Sequence, residues 1–163
     1  MKREYPASPL VGVGAIIIAR GRVLLVKRGH PPLAGEWSIP GGVLELGETL
    51  REAAIREARE ETCLAVEPSD LLGVYDRVLR DDQGRILYHF VLIDFLCRLL
   101  PTEMPAGETQ AGATRAGETH AGQAQAASDA DEVRWFTLKE TEALALPEDT
   151  AAVIRLGFEK SKC

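Results

Sequence analysis

The sequence predicts a mixed α/β domain of the α+β type, and three observations carry that expectation. Apolar runs rich in Val and Ile recur before and after a central polar stretch, as strands do. That stretch, from Thr49 to about Thr62, is made of Glu, Arg, Ala and Leu without Gly or Pro, which is helix composition. The strand-like runs follow one another at hairpin spacing, which argues against a doubly wound parallel sheet.

Leu10 to Ala19 reads as a buried strand. Arg20-Gly21 breaks it, and Val23 to Val26 resumes the apolar pattern, so a hairpin is expected. His30-Pro31-Pro32 and Gly35 mark a loop. Trp37-Ser38-Ile39 is a short strand stopped by Pro40-Gly41-Gly42. Thr49 is the expected N-cap of the helix, with Glu52 completing a capping box. Leu71 to Leu79 is a strand, Asp81-Asp82-Gln83-Gly84 a turn, and Arg85 to Leu100 a long strand or a bent pair. Val133 to Phe136 is a short strand, Thr137 with Glu140 opens a short helix, and Asp149 to about Glu159 is a final helix.

The stretch from about 102 to 127 is almost devoid of large apolar residues and repeats a five-residue unit, as in Ala106-Gly107-Glu108-Thr109-Gln110 and Ala116-Gly117-Glu118-Thr119-His120. It lacks apolar positions on which repeats stack, so it is expected to be a flexible insertion in a single domain spanning 1–163. His120 receives no functional role.

A chain of 163 residues with 45% hydrophobic and 27% charged residues suits one soluble core. The net charge of −6 argues against nucleic acid as the main partner, since such binders display an excess of Lys and Arg. A small phosphate ligand stays open, because a divalent cation reverses the local charge. Cys63, Cys97 and Cys163 are far apart and form no CxxC pair, so neither a disulfide frame nor a zinc site is expected. No apolar run approaches the ~20 residues of a membrane helix. Met1 to Pro6 leads into no secretory core, so the expected compartment is the cytoplasm.

The chemistry sits in the central helix. At about 100° per residue, Glu57, Glu60 and Glu61 fall on one side. Arg56 balances Glu52 and Glu60 at helical spacing, whereas Glu57 and Glu61 have no such partner and repel each other. Two readings stand at this point, a solvated helix face and a site for a hard divalent cation, which prefers carboxylate oxygens beside phosphate. Ala53 and Ala54 are small and leave room on the same side. Gly41-Gly42 permits a backbone turn that aims carbonyls or amides at a metal or phosphate. Glu48 sits at the helix entrance, where the dipole favours an anion, and Arg56 can reach back to it.

Gly42, Glu48, Arg56-Glu57, Ala58, Glu60-Glu61 and Leu64 resemble the Nudix box, G-x5-E-x7-R-E-U-x-E-E-x-G-U, where U is aliphatic. Gly35-Glu36-Trp37-Ser38-Ile39-Pro40-Gly41 is similar to its usual lead-in. One position departs: Cys63 stands where the box has its second glycine, which predicts a cost in stability or a shifted helix end.

The resemblance implies a mixed sheet flanked by helices, with the box as loop–helix–loop. It implies magnesium, with manganese as a substitute, held by Glu57 and Glu61 with help from Glu60 and the Gly41 carbonyl. It implies hydrolysis of a diphosphate bond in a small nucleotide-like substrate. Glu48, Arg56, Glu57 and Glu60 are the catalytic candidates, and Arg28, Gly41 and Gly42 the substrate-binding ones. Arg28 and Lys27 are equally readable as strand-end surface charges. The base that takes the proton from water is Glu57 or Glu60, or else Asp129, Asp131 or Glu132 from a later loop. Leu71 to Asp94 is similar to ADP-ribose pyrophosphatases of this family, so ADP-ribose is the first substrate choice. Nucleoside triphosphates, dinucleoside polyphosphates and binding without hydrolysis are the alternatives. A homodimer is compatible with all of these.

Two rivals fail on chemistry. Gly42 to Thr49 has P-loop spacing, but Glu48 replaces the lysine and would repel phosphates. Gly12-Val13-Gly14 lacks the third glycine of a dinucleotide loop and reads as strand. Trp37 is expected in the core, Tyr75, Tyr88 and Phe90 as packing residues, and His89 as structural.

Overall fold

A computed structural model describes residues 3–29, 34–101, 126 and 130–162. The expected loop at His30-Pro31-Pro32 and, Ala126 excepted, the repeat insertion lie outside those residues.

The strands are β1 (Leu10–Ala19), β2 (Arg22–Arg28), β3 (Trp37–Ser38), β4 (Gly41–Val43), β5 (Val66–Arg80), β6 (Ile86–Leu99) and β7 (Ala130–Thr137), and the helices α1 (Leu50–Thr62), α2 (Leu138–Glu142) and α3 (Glu148–Lys160). They form a seven-stranded mixed sheet in the order β3-β2-β1-β6-β5, with β4 on β1 and β7 on β2. β1 is the centre. It runs parallel to β6 from Leu10 to Ile17, while its other edge is shared. Gly12 to Gly14 pair with β4, and only Ile18 and Ala19 pair with β2. The expected hairpin therefore forms only at its tip, and the two strands diverge below it.

Alternation along β1 builds two cores. Val13, Ala15 and Ile17 pack with Ala53, Ala54 and Ala58 of α1. Ile16 faces the opposite side, with Leu72, Val153, Ile154 and Phe158. Trp37 packs there too, edge-on to Phe136 at 4.9 Å between ring centroids, in the core role expected for it.

The capping box expected at Thr49 forms, and the short helix expected at Thr137 opens on one as well. Thr49 accepts from the Glu52 amide while the Glu52 carboxylate accepts from the Thr49 amide, and Thr137 and Glu140 repeat the arrangement. The helix end is not displaced by Cys63. The residue adopts the left-handed conformation itself, with φ 59°, and its amide donates to the Arg59 carbonyl. A side chain there carries strain that glycine lacks. Cys63→Gly is expected to stabilise the protein by about 1 kcal/mol, read as a higher urea midpoint at constant m; an unchanged midpoint would mean the cap is unstrained.

Two elements differ from expectation. β5 begins at Val66 rather than Leu71. Glu67-Pro68-Ser69-Asp70 hides the strand signal, and the register slips between Pro68 and Gly73, as an edge strand tolerates. The Arg51 guanidinium donates to the Pro68 and Ser69 carbonyls and holds this irregular stretch against α1. Secondly, Gly41-Gly42 does not turn the chain but belongs to a strand, β4. Neither glycine has positive φ among the described residues. They are needed for close approach: a Cβ on Gly41 would run into the Val13 backbone carbonyl, and one on Gly42 into the Glu57 carboxylate.

Candidate active site

α1 can lie near the sheet because its inner face is alanine. Ala53, Ala54 and Ala58 are fully buried against β1 and bring the helix in, whereas the size of Ala53 and Ala54 had suggested room for a ligand. The adjoining face then meets β4. Glu61, 8% exposed, accepts from the Gly41 amide at 3.0 Å. The Glu57 carboxylate lies against the bare Cα of Gly42.

Strand pairing decides which backbone groups meet these acids. The Leu44 amide donates to the Val11 carbonyl and the Ala15 amide to the Pro40 carbonyl, so alternate residues of this ladder, Gly42 among them, are bonded to β1. Gly41 and Val43 direct their polar groups the other way. The Gly41 amide finds Glu61, and the Val43 carbonyl accepts from Arg56 Nη2 at 3.2 Å. The Gly41 carbonyl points to the same side as its amide.

Arg56 ties the loop to the helix, as expected. It grips Glu48 with two bonds, Nε to Oε2 at 3.0 Å and Nη2 to Oε1 at 2.6 Å. Its Nη1 donates to Glu57 at 2.7 Å and to Glu60 at 3.4 Å. Glu48 also accepts from the Glu45 amide at 2.7 Å; it fastens the loop behind the site and does not line the cleft. The expectation that Glu57 and Glu61 lack partners is corrected here. Arg56 reaches its immediate neighbour across the helix, and a backbone amide serves Glu61; neither is visible in side-chain spacing at i and i+4. Compensation is still incomplete, with one guanidinium serving Glu48, Glu57 and Glu60. Its hydrogen bonds hold the Glu48 carboxyl below the usual range. Burial pushes the Glu57 carboxyl above that range, against the pull of Arg56.

Glu57, Glu60, Glu61, Arg56, Gly41 and Gly42 line one end of a cleft of about 440 Å³. Arg28 lines it as well, and so do Arg3 and Arg77. Asp131 and Glu132 are exposed on β7, where Glu132 pairs with Lys27, and neither lines the cleft. Asp129 lies outside the described residues.

The far end holds residues with no sequence-based role. Gly12 and Gly14 leave β1 bare, with Leu92 and Asp94 of β6 beside them. Asp94 is 2% exposed, accepts a hydrogen bond from the Tyr75 hydroxyl, and is pushed up to about 6 by burial. An acid inside the apolar run Val91-Leu92-Ile93-Asp94-Phe95 was the available signal. Tyr75 is thus more than a packing residue, whereas Tyr88 stacks on Phe90 and donates to Glu4 at 2.8 Å.

The sequence profile of the NUDIX domain matches residues 8–156. The chain belongs to the Nudix family. It is 40% identical over 100 residues to a protein named ADP-ribose pyrophosphatase from Methanocaldococcus jannaschii, a match covering 61% of this chain and 57% of that one. It is 49% identical over 73 residues to a putative 8-oxo-dGTP diphosphatase 2 of Mycobacterium tuberculosis, covering 44% and 48%. The chain thus spans about half the length of these curated relatives. The crystal structure of a MutT Nudix hydrolase from Burkholderia pseudomallei superposes with a TM-score of 0.62 at 29% identity, covering 93% of this chain and 97% of that one. Nudix hydrolases use divalent metals. Among the described residues no three acidic, His or Cys side chains converge to enclose an ion as they stand. Glu57 is turned to Arg56 and Glu61 to the Gly41 amide. The donors nevertheless suit a hard cation: three carboxylates and the Gly41 carbonyl, gathered where glycine leaves the backbone bare. No helix among the described residues is long and apolar enough to cross a membrane.

Proposed function

We propose that this Nudix domain hydrolyses the diphosphate linkage of a nucleoside diphosphate derivative with the help of magnesium or manganese, ADP-ribose being the first substrate choice. The observation that carries the reading is the fit of the Glu57 carboxylate on the bare Gly42 backbone, inside a cleft of about 440 Å³ that it shares with Glu60, Glu61 and Arg28. That volume suits a nucleotide-sized ligand. Glu57 and Glu61, with Glu60 and the Gly41 carbonyl, are the groups that would hold the cation. When bound, it neutralises phosphate charge and lowers the pKa of water.

The residues of the site divide the work under this reading. Arg56 anchors Glu48 and steadies Glu57, so the acids keep their positions before substrate arrives. Arg28 on the cleft wall supplies positive charge for the diphosphate. Among the acids that line the cleft, Glu57 and Glu60 of the box are the candidates for taking a proton from water; Glu60, whose side chain is 50% exposed, is the better hydrated of the two.

The named relatives pull the substrate two ways, towards ADP-ribose and towards an oxidised nucleoside triphosphate. The test is a panel of ADP-ribose, nucleoside triphosphates and dinucleoside polyphosphates, each with magnesium, manganese or chelator, with products identified by mass. AMP and ribose 5-phosphate, released from ADP-ribose only with metal, are expected. Turnover of triphosphates alone would move the assignment to the second class. Turnover of nothing in the panel would overturn it.

A further inference from the structure

The Nudix box occupies one end of the cleft; the buried carboxylate at the other end has no part in it. Gly14 pairs with Gly41 on one side and with Asp94 on the other. The Asp94 backbone is therefore two strand spacings from that of Gly41, about 10 Å, within the span of one nucleotide. The Tyr75 hydroxyl donates to Asp94 Oδ2. Oδ1, beside the bare Cα of Gly14, accepts no hydrogen bond among the described residues. Arg77 acts on Asp94 through its charge but donates no hydrogen bond to it, being held by Asp149 at 2.5 Å and Thr150 at 3.0 Å. Ser38 Oγ on β3, also lining the cleft, is buried without a partner among the described residues. Around them Ile39, Leu79, Phe90 and Leu92 make the wall apolar.

Asp94 thus keeps an acceptor that no described residue uses, and a carboxylate oxygen accepts only. A ligand N–H is the complement to Oδ1, carried on a flat body that the apolar wall can cover. We propose that Asp94, positioned by Tyr75, selects the organic group of the substrate by accepting a hydrogen bond from the exocyclic amine of a nucleobase. This deepens the nucleotide reading and rests on the cleft being a nucleotide site, but not on hydrolysis.

The selectivity has a simple sign. Replacing the amine by a carbonyl sets two oxygens against each other, so the amino base is preferred. In Asp94→Asn the Tyr75 hydroxyl can still donate to the amide oxygen, which leaves the amide N–H2 facing the ligand. That group matches a carbonyl, and the preference is lost or reversed. Tyr75→Phe releases the carboxylate from its orientation and weakens the preference without reversing it.

The experiment is calorimetric binding of AMP against IMP and of CMP against UMP to the metal-free chain. The wild type is expected to favour the amino member of whichever pair binds, by on the order of tenfold. Asp94→Asn should bring that ratio to one or below, and Tyr75→Phe should reduce it severalfold. A wild type that binds none of the four, or binds both members of each pair equally, overturns the inference, as does an Asp94→Asn protein that keeps the wild-type ratio. Hydrolysis of the same bases as diphosphate derivatives is measured in parallel. Base-selective binding without turnover upholds this inference and removes the hydrolase reading; turnover with no base selectivity does the reverse.

Discussion

Glu61→Gln is expected to leave the protein folded and to cut magnesium-dependent hydrolysis about a thousandfold. The side chain is 8% exposed and accepts the Gly41 amide proton. Glutamine has the same shape, and its amide oxygen can accept that proton equally well, so the junction of β4 with α1 survives. What disappears is a negative charge among the oxygens offered to the cation. Losing one anionic ligand removes several kcal/mol of charge stabilisation, and about 4 kcal/mol corresponds to three decades in rate. The urea midpoint and kcat, measured across a magnesium titration, separate the two roles. A normal midpoint with lost turnover supports the assignment. Undiminished turnover at every magnesium concentration would remove Glu61 from the metal site.

Arg56→Met is expected to destabilise the protein by about 2 kcal/mol and to slow turnover by at least a hundredfold. Methionine retains an apolar stem but none of the donors to Glu48, Glu57, Glu60 and the Val43 carbonyl. The side chains of Arg56, Glu48 and Glu57 are 22%, 15% and 12% exposed, so water only partly replaces what is lost. The pH dependence gives each carboxylate its own signature. Glu48 is held below the usual range, so its contribution to stability is present above that range and fades as pH falls through the lowered value. The stability gap between wild type and variant should therefore narrow on acidification. Glu57 is pushed up by burial while Arg56 pulls it down. Without Arg56 it rises further, and the acid limb of the rate profile should move to higher pH. A stability gap that stays constant from neutral to acid pH, with an unmoved rate limb, would show that Arg56 is not the counter-charge for either group.

What was readable from the sequence was local. The capping boxes at Thr49 and Thr137 involve residues three apart, so their spacing sufficed. The carboxylates of α1 lie within two turns, and the reach from Arg56 to Glu48 spans the helix start. The β1 strand announced itself by its unbroken apolar run. Gly41-Gly42 misled because a glycine pair reads as a turn, whereas here it lets β4 come close to the carbonyl of Val13. Ala53 and Ala54 misled for the same reason: small size permits either a void or a close contact, and the sheet that chose the contact is not in the helix sequence.

The sequence by itself determined the helix, its caps and the acidic side chains that a divalent cation would use, because these follow from helical geometry over a few residues. Only the tertiary structure decided that Glu57 and Glu61 meet the backbone of β4, and that Gly14 joins Gly41 to Asp94 across three strands. Pairing between distant segments depends on which faces can be buried together and how closely their backbones approach. Neither the glycine doublet nor the lone acid in β6 carries that information in its own neighbourhood.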